Sequence, residues 1–383
     1  MREYFIVAIA QEIEHVEYLL MTIDDSSIPS EYRVLAKNCR TELIDLKKRL
    51  QDLQSQTNLH QPETQSILLR LFRRVKDDIT ELEITGIFAL ARRHRDDIFL
   101  TRMVDMICQE IKYPFLPPVV STLSLNYFSI HNKYEVMFVP LNEGNYLLHL
   151  PDLYHELAHP LLFDQHSTKF EAMRSAVDRG WAHAIKYLKS EGDNEQRLSR
   201  PQTQEYLFYF HLWERSWRHW IIEFFCDLFA VFTLGPAFAW SHIHLCMKMQ
   251  SKPFDTPIMS LSSHPADHAR MLVMLNGLKF LGYDDAIDPI VQKWNEYLKL
   301  SNAKPTANYK RCFPEELLNE ISELAFKGMQ ATPCRLAKPS IDDTIHNLFN
   351  EAWSQFWNNP YDYITWENEQ VKRLRDMCRV TKE

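Results

Sequence analysis

At 383 residues, 45% of them hydrophobic, the chain is long enough to bury a sizeable core and belongs to the class of globular proteins. Its formal net charge of −8 gives no electrostatic reason to expect nucleic acid as a partner. Only eight glycines accompany long runs of helix-favouring residues. The sequence therefore predicts a mainly α protein of the α+β type, with helical bundles around a core that includes one small antiparallel sheet.

The cysteines and the apolar segments indicate a compartment. Seven cysteines are scattered without a Cys-x-x-Cys pair, which favours reduced thiols and predicts a cytoplasmic protein. The longest apolar stretch, 220–240, contains Glu223 and Asp227, so we expect no membrane span. We also expect no signal peptide, because Glu12 and Glu14 interrupt the apolar run near the N-terminus.

Residues 1–115 are predicted to form an N-terminal helical domain, since their Leu and Ile residues recur at helical spacing. Lys and Arg in these helices are interleaved with Asp and Glu, a pattern typical of a solvated helix face. A nucleic-acid patch is the less favoured interpretation of the basic clusters. We expect this domain to offer a binding surface for a protein partner.

The composition changes after the prolines of segment 114–118. Val, Tyr, Phe and Ile in residues 121–139 predict a β-hairpin. We assign this hairpin and the helices that follow it to a second domain, 116–280, which carries the candidate site. Residues 281–383 are predicted to form a C-terminal helical region.

The stretch 150–163, LPDLYHELAHPLLF, contains the pattern His-Glu-x-x-His at His155, Glu156 and His159. On a helix, two histidines four residues apart project from one face. Two neutral imidazoles can bind zinc, and the adjacent carboxylate can take a proton from a water whose pKa the ion lowers. Pro160 follows directly, and we expect the helix to kink or end there.

A catalytic zinc ion usually has three protein ligands, so the pattern needs a third one from elsewhere. The metzincin extension requires glycine and histidine where this chain has Leu162 and Gln165, which excludes that pattern. The segment WIIEFFCDLFA instead supplies Glu223 and Asp227 on one face of an apolar helix, where a cation would satisfy them. The alternative is a structural pairing of these carboxylates with basic residues nearby, namely Arg215, Arg218 or His219.

With both elements in view, the chain resembles the gluzincin zinc metallopeptidases, in which His-Glu-x-x-His is followed on a later helix by Glu-x-x-x-Asp. The resemblance implies that the zinc ligands are His155, His159 and Glu223. It further implies that Glu156 is the general base and that Asp227 orients a ligand histidine.

The segment 261–275, LSSHPADHARMLVML, is similar to the Ser/Thr-His-Pro segment, ending in an arginine, of the peptidase family that includes the CAAX prenyl endopeptidases and bacterial quality-control proteases. This resemblance covers about residues 150–275. It implies that His264 stabilises the oxyanion or gates the open zinc position, and that Arg270 pairs with an acid. A backbone-bonded residue at a helix start is an equal alternative for His264, and a structural salt bridge is favoured for Arg270. That family is commonly membrane-embedded or exported. The resemblance therefore supports the site residues of this chain, but not its domain context or its substrate.

The sequence therefore predicts a soluble zinc metallopeptidase that hydrolyses a peptide bond through a zinc-activated water. Its expected partner is a peptide or protein substrate, without nucleic acid or membrane. The alternative hypothesis is a catalytically silent, metallopeptidase-like helical protein that acts as a partner-binding module. A third hypothesis is a zinc hydrolase that acts on non-peptide amides or esters.

Overall fold

The computed structural model describes residues 2–23, 28–56, 62–124, 127–164, 167–198, 200–249, 252–339 and 343–380. These residues are mainly helical and include one small three-stranded sheet, which confirms the predicted fold class. Gln165, which was used to exclude the metzincin pattern, lies outside the described residues.

Contacts within the chain define two compact units. One unit comprises Met1–Val104 with Pro117–Asn142, and the other comprises Asp105–Leu116 with Glu143–Glu383. The sheet thus groups with the N-terminal helices, and the predicted C-terminal region groups with the candidate site. The sequence could not reveal these groupings, because hydrophobic periodicity identifies the apolar face of a helix but not its packing partner. As independently folding domains, the ranges 1–115, 116–280 and 281–383 stay a prediction.

The first unit is built from helices with leucine-rich faces, whose bounds are α1 Arg2–Thr22, α2 Arg33–Gln54, α3 Pro62–Leu82, α4 Phe88–Ala91 and α5 Arg95–Glu110. The residues of α5 from Asp105 onward belong to the second unit. Apolar residues of α2 recur every three or four positions and are buried, namely Leu35, Cys39, Leu43, Leu46, Leu50 and Leu53. This spacing explains why a single helix face forms part of the core.

The sheet of the first unit consists of strands β1 Val119–Ser124, β2 Ser129–His131 and β3 Val136–Pro140, in the order β1-β3-β2. Strands β2 and β3 form the predicted antiparallel hairpin. Strand β1 pairs with β3 in the parallel direction, so the sheet is mixed and the prediction of an antiparallel sheet is wrong. The composition of a strand indicates β structure but does not encode the direction of its neighbour.

The second unit is helical, with the bounds α6 Asp152–Phe163, α7 Glu171–Leu198, α8 Thr203–Leu234, α9 Pro236–Lys248, α10 Asp267–Phe280, α11 Asp284–Leu300, α12 Ala307–Cys312, α13 Glu315–Gln330, α14 Thr344–Asn358 and α15 Tyr363–Val380. Helix α8 is central, because α6, α7, α9, α10 and α13 all contact it. Its residues 224–234 are buried without interruption. Gly235 ends α8 with a φ of 83°, a conformation that favours glycine.

No helix within the described ranges combines the length and the apolar character that crossing a membrane requires. All seven cysteines lie in described ranges; each is buried, and none forms a disulfide.

Candidate metal centre

The His-Glu-x-x-His pattern lies on α6, and most of this helix is buried. The helix was expected to kink or end near Pro160; it continues for three residues beyond the proline and ends at Phe163. The backbone N–H of Asp164 donates to the Pro160 carbonyl at 3.0 Å and closes the last turn, while Leu161 is fully buried. Packing of this last turn therefore compensates for the single backbone hydrogen bond that proline removes.

Helix α8 faces α6 and brings two carboxylates to His155. Nδ1 of His155 donates to Oδ1 of Asp227 at 2.9 Å. Nε2 of the same ring lies 3.4 Å from Oε2 of Glu223. Glu223 and Asp227 are four residues apart and therefore share one helix face. His155 therefore contacts both Glu223 and Asp227, the two acidic residues that the sequence predicted for the site.

Arg270 on α10 pairs with Asp227 through two hydrogen bonds. Its Nε donates to Oδ2 at 2.8 Å and its Nη2 donates to Oδ1 at 2.6 Å. Burial alone would raise the pKa of Asp227, but the Arg270 charge and the hydrogen bonds from Arg270 and His155 hold that pKa well below its usual range. Asp227 is thus an ionised carboxylate in a fully buried position.

The carboxylates favour positive charge at His155. Burial lowers the pKa of His155, but the hydrogen bond to Asp227 and the contact with Glu223 outweigh burial and raise it to about 10. Burial raises the pKa of Glu223, while the contact with His155 and the charges of His155 and His159 lower it to about 2. Among described residues, Glu223 approaches His155 and His264, and it forms no ion pair with its sequence neighbours Arg215, Arg218 or His219.

Glu156 lies beside this pair on α6 and is 8% exposed. Burial is the main cause that raises the pKa of its carboxyl to about 7. The negative charges of Glu223 and Asp152 raise it further, while the charge of His155 opposes them. A carboxyl with this pKa exchanges its proton near neutral pH, as a general base must.

His159 lies against a residue that the sequence interpretation missed. Its Nδ1 is 3.6 Å from Sγ of Cys226 on α8. One donor atom from each of His155, His159 and Cys226 lies within 4.8 Å of the other two. Burial and the charge of His155 lower the pKa of His159 to about 4, so its imidazole is neutral at neutral pH. Cys226 follows Glu223 by three residues, and this helical spacing was the signal that could have identified it.

His264 precedes α10 and has a side chain that is 64% exposed, with Nε2 at 3.7 Å from Oε2 of Glu223. Oγ of Ser263 lies 2.9 Å from its Nδ1. The imidazole therefore lies beside Glu223 and contacts the side chain of Ser263, while the backbone carbonyl of His264 accepts from Oγ of Ser262 at 2.7 Å. His264 also lines an open pocket of about 640 Å³ formed by the loop between α9 and α10.

The residues fit a zinc ion by the chemistry of their donor atoms. Oε2 of Glu223 is buried and has no hydrogen-bond partner among the described residues. Its 3.4 Å separation from His155 Nε2 agrees with the roughly 3.3 Å expected between two ligand atoms that share a tetrahedral zinc ion. The ionised carboxylates of Glu223 and Asp227 outnumber the charge of Arg270, so a cation at this site can replace the proton that these carboxylates favour on His155.

A second group of donor atoms comprises His242 and Cys246 on α9 with Asp267 on α10. Nε2 of His242 lies 3.0 Å from the backbone carbonyl oxygen of Asp267 and donates its hydrogen to it. Sγ of Cys246 lies 3.7 Å from the same nitrogen. Burial lowers the pKa of His242, and the charge of Arg270 lowers it further.

The chain was compared with family models, with curated proteins and with solved structures. None of the three comparisons found a match. The resemblance to the gluzincin metallopeptidases therefore rests on the motif residues alone and stays a prediction.

Proposed function

We propose that the chain is a zinc-dependent metallopeptidase that hydrolyses a peptide bond in a peptide or protein substrate. The observation that carries this proposal is the buried Oε2 of Glu223, which lacks a hydrogen-bond partner among the described residues and lies 3.4 Å from Nε2 of His155. A buried carboxylate oxygen without a partner is costly. Oε2 of Glu223 has charge contacts with His155 and His264 at 3.4 Å and 3.7 Å, and a cation bound by Glu223 and the histidines would give it a direct partner.

In this proposal, Zn²⁺ is held by His155, His159 and Glu223. His155 binds through Nε2, because its Nδ1 donates to Asp227 and the tautomer is thereby fixed. Arg270 holds Asp227 by two hydrogen bonds and so orients His155 through the carboxylate. When bound, zinc polarises a carbonyl oxygen and lowers the pKa of a water.

Glu156 is the proton carrier of the proposed reaction. Its carboxyl has a pKa of about 7, so a substantial fraction is ionised at neutral pH and accepts a proton from the attacking water. The protonated carboxyl then donates this proton to the leaving amine. Burial, which is the largest cause of the raised pKa, makes both directions of transfer accessible in one pH range.

His264 is assigned to stabilisation of the oxyanion. In this assignment Oγ of Ser263, 2.9 Å from Nδ1, donates to that nitrogen, and the neutral ring carries its hydrogen on Nε2, where it presents a donor. That nitrogen lies 3.7 Å from Glu223, at the edge of the pocket between α9 and α10. A peptide in this pocket would place a carbonyl oxygen near the imidazole.

Two further assignments belong to the proposal. A cytoplasmic location is supported by the seven buried cysteines, none of which forms a disulfide. A protein partner that binds the N-terminal helices is supported by exposed apolar side chains on α1, such as Val7 and Met21.

The test uses the full-length chain purified without chelator. We expect about one zinc ion per chain by mass spectrometry and cleavage of a mixed peptide library. Glu156→Gln should keep the metal and lower the cleavage rate about 10²- to 10⁴-fold. Absence of bound divalent metal would refute the proposal. Zinc without any cleavage would favour the catalytically silent partner-binding module.

A further inference from the structure

We propose that the thiol of Cys226 accepts a hydrogen bond from Nδ1–H of His159 and thereby directs Nε2 of His159 towards the zinc ion. This inference rests on the proposed function, because it assigns a positioning residue to the same site. The distance that supports it is the 3.6 Å between Sγ and Nδ1. Sulfur is a weak acceptor, and such a contact is within the normal range for it.

The arrangement repeats the one around the first histidine. Two consecutive residues of α8 each face Nδ1 of one histidine on α6: Asp227 faces His155 at 2.9 Å, and Cys226 faces His159 at 3.6 Å. In both rings, the nitrogen on the other side is left with its lone pair. Outer partners of this kind fix the tautomer and the ring orientation of metal ligands.

A second contact holds the same ring. Phe163, one helical turn after His159, stacks on the imidazole with centroids 6.3 Å apart and an interplanar angle of 15°. Stacking limits tilting of the ring, but it does not distinguish between the two positions that exchange Nδ1 and Nε2. An acceptor at Nδ1 does distinguish them, because only one orientation satisfies the N–H group. Cys226 supplies that acceptor.

Direct ligation by Cys226 is the competing arrangement. Together with His155, His159 and Glu223 it would give zinc four protein ligands, which is the composition of a closed structural site. A catalytic site keeps one position open. The proposed hydrolysis therefore places the thiol outside the ligand set, where Cys226 still contacts the ring.

The test is cobalt substitution of the full-length chain. The wild type should show visible Co²⁺ absorption without a sulfur-to-cobalt charge-transfer band in the near ultraviolet. Cys226→Ala, which removes the acceptor, should weaken Zn²⁺ binding about 10- to 100-fold, as loss of an outer-shell partner does. Cys226→Ser keeps an acceptor and should weaken binding less than the alanine variant. Cys39→Ala is the matched control, since Cys39 is also fully buried in a helix but lies in the first unit.

Each outcome decides the inference. A charge-transfer band that disappears in Cys226→Ser would identify a direct ligand and overturn the acceptor role. Unchanged zinc affinity in Cys226→Ala would also overturn it, while wild-type peptide cleavage would leave the proposed function intact. If the wild-type protein binds no metal, both the acceptor role of Cys226 and the proposed function are refuted. Should thermal unfolding show that the alanine variant is misfolded, the serine variant decides, because the absorption band and its zinc affinity remain measurable.

Discussion

Two groups of histidine, cysteine and acidic side chains lie in the second unit, and they are alike in composition. One is the α6/α8 group around His155 and His159, and the other is the α9/α10 group of His242, Cys246 and Asp267. In both groups a thiol lies close to an imidazole nitrogen, at 3.6 Å and 3.7 Å. Proximity of donor atoms therefore does not distinguish the two groups.

Charge and hydrogen bonding do distinguish them. His155 contacts two carboxylates, which raise its pKa to about 10 against the effect of burial, whereas burial and Arg270 lower the pKa of His242. The Nε2 atom of His242 is already engaged by a backbone carbonyl, whereas Oε2 of Glu223 lacks a hydrogen-bond partner within the described ranges. The α6/α8 group therefore favours an added cation, and the α9/α10 group disfavours it.

The largest expected effect is the loss of metal from one group only. His155→Ala should reduce bound zinc from about one ion per chain to background, because it removes a ligand. His242→Ala is the matched control and should keep the full zinc content. Elemental analysis of both variants purified without chelator checks this. Zinc that persists in His155→Ala but is lost in His242→Ala would show that the α9/α10 group, and not the α6/α8 group, binds the metal.

Replacing the Glu223 carboxylate by an amide of the same shape tests whether charge is the reason that the α6/α8 group binds zinc. Glu223→Gln should weaken zinc binding by more than the roughly 10- to 100-fold typical of outer-shell changes, because it replaces an anionic ligand by a neutral amide. Competitive titration with a chromophoric chelator measures this affinity. The control is Asp267→Asn in the second group, which should leave the zinc affinity unchanged. Equal losses in both variants would show that general negative charge, and not a ligand, is responsible.

Arg270→Gln tests the residue that acts on both groups. It removes the partner of a fully buried carboxylate, so we expect a loss of unfolding free energy of about 3–5 kcal/mol. Zinc affinity should fall about 10- to 100-fold, since Asp227 then orients His155 less well. Denaturant unfolding and zinc titration measure the two effects.

The matched control for this change is Arg311→Gln. Arg311 pairs with Glu195, a carboxylate that is also almost fully buried, at 3.2 Å. This variant should lose stability without losing zinc affinity. Unaltered zinc binding in Arg270→Gln, together with lowered stability, would reduce Arg270 to the structural salt bridge that the sequence interpretation favoured.

The sequence could predict the parts of the site that follow from helical spacing. His155 and His159 are one turn apart, and so are Glu223 and Asp227, so each pair shares a face wherever the helices pack. Cys226 was missed because a cysteine in an apolar helix reads as core. Its contact with His159 arises from packing between residues 67 positions apart, which periodicity does not encode.

The same limit applies to the fold. Helices were predictable because their periodicity is local, whereas the parallel pairing of β1 with β3 depends on the path of the chain between them. Pro160 shows how packing modifies a local rule. The rule predicted a kink or an end near the proline, and burial of Leu161 and a closed last turn let the helix continue to Phe163.

The smallest expected effect concerns pH and the residue that follows Asp267. Nδ1 of His268 accepts a hydrogen bond from the indole N–H of Trp294 at 2.8 Å, and burial lowers the pKa of His268 to about 4. In the unfolded chain this pKa is about 6.5, so the unfolded state binds more protons between these values. The contribution of His268 to stability is therefore present above pH 6.5 and is lost as the pH falls towards 4.

His268→Gln isolates this contribution, because the glutamine oxygen can still accept from Trp294 while the side chain no longer titrates. We expect its unfolding free energy to fall less steeply between pH 6.5 and 4 than that of the wild type, by at most about 1.4 kcal/mol per pH unit. Urea unfolding across this range measures the difference. Identical slopes would show that His268 takes up a proton as readily in the folded as in the unfolded chain, and that the α9/α10 region tolerates a positive charge.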